Sequence, residues 1–115
     1  MSVNEDLESF YEEFSSALET RDVNRLCQLY TDEAMFLASG TAPVIGNQQI
    51  SDLFEDPSST DKATFEVGEV LEDGDLIVDI GWILNNESRV SRFVGVYRRQ
   101  SDRRLKMVID VPMKT

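Results

Sequence analysis

The chain has 115 residues, with 22 Asp plus Glu against 11 Lys plus Arg, one cysteine and no histidine, for a formal net charge of −11. That composition excludes a Ser-His-Asp or Cys-His nucleophile, a His-ligated metal and an imidazole acid/base pair, leaving Asp, Glu, Tyr, Lys and Cys27 for proton chemistry. The length suits a single domain spanning 1–115, because at this size about two-thirds of the unfolded surface can be withdrawn from water.

Cys27 has no partner for an intramolecular disulfide, and a zinc site would need more thiolates or imidazoles than the chain holds. No apolar run approaches the ~20 residues of a membrane span, and the start, MSVNEDLESF, is acidic where a secretory leader is basic. The expectation is a cytoplasmic protein with no membrane partner, no metal and no cofactor. In that setting the sequon Asn86-Glu87-Ser88 is a chance match in a turn. Charge is unevenly placed: residues 1–75 carry a net −15 and residues 76–115 a net +4. The overall field repels phosphate backbones, so no nucleic-acid partner is expected. Arg89, Arg92, Arg98, Arg99, Arg103, Arg104 and Lys106 are read as neutralising the acidic half or facing solvent from strands, a local anion-binding face being the alternative.

Leu7, Phe10, Tyr11, Phe14 and Leu18 recur every three or four residues opposite Glu8, Glu12, Glu13 and Glu19, which predicts an amphipathic helix over 5–20. Thr20-Arg21-Asp22 supplies capping chemistry, and Val23, Leu26, Leu29 and Tyr30 continue a second, shorter helix carrying Cys27 as a small buried apolar group. Residues 34–38 read as a buried extended segment, Gly40, Pro43 and Gly46 as a loop, and Asn47 as the N-cap of a third helix whose inward stripe of Ile50, Leu53 and Phe54 ends at Pro57. Residues 56–61 read as a loop.

From Ala63 the pattern becomes four antiparallel strands, at 64–71, 75–84, 89–99 and 104–111. Asp73-Gly74 predicts a two-residue type I′ hairpin, and polar turns at 85–88 and 100–103 separate the rest. In the second of these strands, Leu76, Val78, Ile80, Trp82 and Leu84 share one face, and Asp75, Ile77, Asp79, Gly81 and Ile83 the other. In the third, Phe93, Gly95 and Tyr97 oppose Val90, Val94 and Val96. A sheet apolar on both faces needs two covers, the helices and a second subunit, which predicts a homodimer through the outer face.

The order of elements and several short motifs resemble the NTF2-like superfamily over nearly the whole chain. Phe14 to Leu18, Arg21 to Leu26, Leu29-Tyr30-Thr31-Asp32-Glu33-Ala34 and Gly46 with Ile50 are similar to the family's A-x-x-x-x-D-x-x-x-L-x-x-L-Y-x-D-D-A … G-x-x-x-I signature. Gly81-Trp82, the 93–99 segment and Leu105 to Asp110 resemble the ending of its SnoaL-like and DUF4440-type members. The resemblance implies an α+β fold: a cone in which N-terminal helices pack on a strongly curved, mostly antiparallel sheet, around an apolar pocket.

Function does not follow from that fold. Ketosteroid isomerases of the superfamily need an Asp base and an oxyanion hole of Tyr and protonated Asp. The resemblance places those roles at Phe14, near Ala38 and near Gly95, none of which can perform them, so that chemistry is not expected; dehydratase mechanisms that use histidine fail too. Asp110, ending an apolar strand, is the candidate catalytic carboxylate, its structural alternative being a bond to a buried aromatic. Asp79 is expected on the dimer-facing side, paired with Arg92 or Arg98. Phe14, Tyr30, Phe36, Trp82, Phe93 and Tyr97, with Tyr11, are candidates to line a pocket for a small apolar molecule, although core packing is the ordinary role of such residues. A cavity of a few hundred Å³ bordered by Phe14, Tyr30, Trp82 and Asp110 would carry that reading. The rival is a non-catalytic dimerisation or protein-interaction module.

Overall fold

The computed structural model describes residues 2–55 and 63–113; the expected stop at Pro57 and loop at 56–61 lie outside them. Helix α1 (Val3–Glu19) starts at a capping box in which Ser2 and Glu5 satisfy each other's backbone N–H. It buries Leu7, Phe10, Tyr11, Phe14, Ala17 and Leu18, the stripe expected from the spacing. Each large side chain of that stripe contributes about 1.5–3 kcal/mol of transfer free energy, opposed by the entropy of ordering it. Asp22 caps α2 (Val23–Gln28) by accepting from the Arg25 N–H, and Cys27 on this helix is half-buried rather than enclosed.

Helix α2 is shorter than its apolar stripe suggested. Tyr30 leaves it to open strand β1 (Tyr30–Phe36), and two residues of the expected loop form β2 (Val44–Ile45). Helix α3 (Asn47–Asp52) is preceded by Gly46 at φ 101°, so Gly46 and not Asn47 is the cap position, with no side-chain cap bond; a short 3₁₀ turn follows at Leu53–Glu55. Strands β3 (Ala63–Asp73), β4 (Leu76–Asn85), β5 (Ser88–Arg99) and β6 (Leu105–Met113) complete one six-stranded sheet in the order β2-β1-β6-β5-β4-β3. All pairs are antiparallel except β1 with β6, which run parallel and join the two halves of the chain.

The hairpin chemistry differs from the expectation. Asp73 pairs with Leu76, so the first loop is Gly74-Asp75 and only Gly74 has positive φ, at 60°, which rules out type I′. The loop with two positive φ values, 52° and 67°, is Asn86-Glu87 between β4 and β5. Asn tolerates that conformation better than most residues, and the short loop imposes it on Glu87.

The sheet curves around α1, and the residues facing the helix are set by register. Ile77, Asp79, Gly81 and Ile83 of β4 stand opposite Tyr97, Gly95, Phe93 and Ser91 of β5 on the concave side. The convex side carries Val78, Ile80, Val94 and Val96, continued on β6 by Ile109 and Val111. This reverses the assignment expected for Asp79 and Trp82. Both faces of β4 are apolar enough to be buried, so alternation alone does not say which side the helix covers.

Candidate functional site

A cavity of about 170 Å³ lies between α1 and the concave sheet. Helix α1 contributes Phe10, Tyr11, Phe14 and Leu18; β1 and the 3₁₀ turn add Phe36 and Phe54. The sheet supplies Ala63 and Phe65 from β3, Ile83 from β4 and Phe93 from β5, with Met107, Asp110 and Pro112 from β6. The rings meet mostly edge to face: Phe14 and Phe65 have centroids 5.3 Å apart at 87°, and Phe65 and Phe93 5.6 Å apart at 82°.

Asp110 is the acid in this apolar lining. It is 8% exposed, and its Oδ2 accepts from the Tyr30 hydroxyl at 2.8 Å. Among the described residues no hydrogen bond reaches its Oδ1. Burial pushes the carboxyl up from 3.8 to about 6, and the Tyr30 bond, which favours the anion, opposes part of that rise. Tyr30 itself is fully buried, and burial together with the neighbouring Asp110 carboxylate raises its hydroxyl well above the usual phenol range.

A second buried acid sits two strands away. Asp79 is fully buried and accepts from the Tyr11 hydroxyl at 2.5 Å and from the Gly68 backbone N–H at 2.9 Å. A register shift in β3 between Glu66 and Glu69 places Gly68 at that point in the sheet. The Tyr11 and Tyr97 hydroxyls are 2.7 Å apart; with Tyr11 donating to Asp79, Tyr97 donates to Tyr11. Burial raises the Asp79 carboxyl, opposed by these two hydrogen bonds. Gly95 pairs with Asp79 on one side and Asp110 on the other. A Cβ at 95 would lie 2.2 Å from the Tyr97 hydroxyl, so the missing side chain makes room for that ring to fold back over the strand.

Of the residues expected to line the pocket, Tyr11, Phe14, Phe36, Phe93 and Asp110 border the cavity. Tyr30 and Tyr97 stand behind the lining, as bonding partners of Asp110 and Tyr11. Trp82 must be corrected: it lies on the convex face, beneath the guanidinium groups of Arg92 and Arg89 at 4.1 and 4.6 Å from its ring centre. Asp79 must be corrected too, since it faces inward and pairs with neither Arg92 nor Arg98. Arg92 pairs instead with Glu69, Arg89 with Glu66, and Arg99 with Asp6 at 3.0 Å, so these basic residues neutralise the acidic half. Phe54 and Phe65 were not singled out as pocket residues. Phe54 had the signal of an inward stripe position, whereas Phe65 stood in a strand whose cavity face only the register of β3 reveals. Among the described residues no three His, Cys, Asp or Glu side chains gather to hold a metal ion, and no helix is long and apolar enough to cross a membrane.

Residues 11–106 match the family model of the SnoaL-like domain. The chain belongs to the SnoaL-like family. Its fold is that of solved NTF2-like structures. ActVI-ORFA from Streptomyces coelicolor superposes with a TM-score of 0.75 at 15% identity, covering 94% of this chain and 93% of that one. A ketosteroid isomerase-like protein from Erwinia carotovora atroseptica gives 0.73 at 11% identity, covering 97% of each. An NTF2-like protein of unknown function from Pseudomonas putida gives 0.67 at 17%, covering 95% and 84%. Among curated proteins, none matches the chain significantly. These likenesses establish the SnoaL-like chain's architecture, and its chemistry has to be argued from its own cavity.

Proposed function

We propose that this SnoaL-like chain binds a small, chiefly apolar molecule in the cavity beneath α1, with Asp110 making the polar contact. The observation that carries the reading is a hollow lined almost wholly by apolar and aromatic side chains, bordered by one carboxyl group whose Oδ1 has no hydrogen-bond partner among the described residues. Its volume of about 170 Å³ compares with the ~150 Å³ apolar cavity that accepts benzene, which suits an apolar body of about one ring. The positions of Phe14, Ala38 and Gly95 argue in the same direction, since none offers the acid, base or donor of ketosteroid isomerisation. Any proton transfer to a bound molecule falls to Asp110, whose carboxyl near 6 is suited to both giving and taking a proton close to neutrality.

Calorimetry and thermal unfolding with toluene test the binding reading. Wild type should bind and gain stability, and Phe14→Trp, which fills the hollow, should abolish both effects; a wild-type protein indifferent to toluene overturns the reading. If a neutral substrate is converted, Asp110→Asn should keep binding while losing turnover.

A specific observation also favours a second reading, the dimerisation module. Among the described residues no helix covers the convex face, where Val78, Ile80, Val94, Val96, Ile109 and Val111 form a contiguous apolar surface with Ile80 at 36% exposure. We assign this face to a second copy of the chain. Sedimentation should give a dimer at micromolar concentration that Ile80→Glu dissociates, and a wild-type monomer would refute the assignment. The unpaired Cys27 supports cytoplasmic residence as part of the same proposal.

A further inference from the structure

The cavity's chemistry narrows the ligand, and the narrowing rests on the binding reading above. Six phenylalanine rings, from residues 10, 14, 36, 54, 65 and 93, surround the hollow, and among the described residues no lysine or arginine lines it. The faces of such rings carry negative electrostatic potential and attract cations, most strongly where water is excluded. Among the described residues the acid has no counter-charge: Asp110 receives one hydrogen bond, from Tyr30 to Oδ2, and none to Oδ1. A carboxylate so placed costs free energy until a donor of opposite charge reaches it.

We propose that the cavity takes a small organic cation, an ammonium group carried on an apolar body of about one ring, with the ammonium paired to Asp110 and flanked by the phenylalanine rings. The ammonium brings the missing charge and up to three donors to one carboxylate, and the apolar body fills the space the rings define. A ligand bearing a carboxylate or phosphate meets the opposite: a like charge and, among the described residues, no cation to receive it. The net charge of −11 adds to the selection by concentrating cations around the molecule. A neutral carbonyl compound is the competing occupant, because Asp110 in its acid form can donate to a carbonyl oxygen. The two differ in what Asp110 must be, anion for the ammonium and acid for the carbonyl, and the Tyr30 hydrogen bond supports the anion.

The experiment is calorimetric titration of the full chain at pH 7.5 with toluene, benzylamine, benzaldehyde and benzoate, which share one ring and differ in the charge and donor character of the substituent. Benzylamine should bind at least tenfold more tightly than toluene or benzaldehyde, with benzoate weakest. Asp110→Asn should weaken benzylamine by tenfold or more while leaving toluene within twofold, and its retained toluene binding reports that the fold and the hollow are intact. Toluene binding as tight as benzylamine, a preference for benzaldehyde or benzoate, or a benzylamine affinity untouched by Asp110→Asn overturns the cation and leaves the apolar site standing. Failure of both toluene and benzylamine to bind overturns the two readings together.

Discussion

Asp79 and Asp110 both point to the inside of the same sheet, one strand to either side of Gly95, yet their surroundings differ. Asp79 accepts from a tyrosine hydroxyl on α1 and a backbone N–H on β3, and so ties helix to sheet. Asp110 borders a cavity and, among the described residues, its side chain accepts from one hydroxyl. The first is solvated by protein and the second is left for something else to complete. A buried acid therefore signals a site by the partner it lacks, more than by its burial alone.

Mutations sharpen that contrast. The largest effect is expected at Asp79: Asp79→Ala strands the Tyr11 hydroxyl and the Gly68 N–H, and at about 1–3 kcal/mol for each unsatisfied donor the loss should be about 4 kcal/mol, read by urea unfolding. Asp110→Asn should act with the opposite sign. Its folded pKa of about 6 lies above the ordinary 3.8, so between those values the folded chain keeps a proton that the unfolded chain has lost. Stability from this group is therefore full below pH 3.8, falls as pH rises to about 6 and is flat beyond, by about 3 kcal/mol in all. Asn carries no such charge, so the variant should match wild type near pH 4 and exceed it by up to about 3 kcal/mol at pH 8; a difference that does not change with pH would place Asp110 in contact with water.

Two smaller changes test what stands between the acids. Gly95→Ala puts a methyl group against the Tyr97 hydroxyl and should cost about 2 kcal/mol by displacing the ring that separates the two carboxyls. Tyr97→Phe removes one hydroxyl from the chain that ends on Asp79 and should cost about 1 kcal/mol in thermal unfolding, with no effect on cavity binding.

Much of the architecture was legible because local chemistry and periodicity agreed. The stripe on α1, the Asp22 cap and the β3–β4–β5–β6 succession each have a spacing or turn signal of their own. The parallel pairing of β1 with β6 had none, since it joins segments some 75 residues apart. Asp110 was legible as an acid ending an apolar strand, whereas Trp82 and Asp79 were read onto the wrong faces. Hydrophobicity favours Trp82 as the inward residue of β4, but two arginines can cover an indole from outside, and a carboxylate can go inward once a tyrosine and a shifted N–H await it. Those partners lie 7 to 68 residues from the groups they decide, beyond the reach of local pattern. The turn at 85–88 carried its polar signal, but its two positive φ values did not, for a related reason: the paired strands around it, rather than the intrinsic preference of Glu87, force that backbone.

The lateral bond between β1 and β6 also sets an order of events at the ribosome. Strand β1 ends at residue 36, while the neighbour that completes its ladder ends at residue 113. At roughly 5–20 residues per second, the emerging chain waits about 4–15 s for that neighbour. The surplus of acidic groups in residues 1–75 falls on this waiting half, where mutual repulsion keeps nascent copies apart until the closing strand arrives.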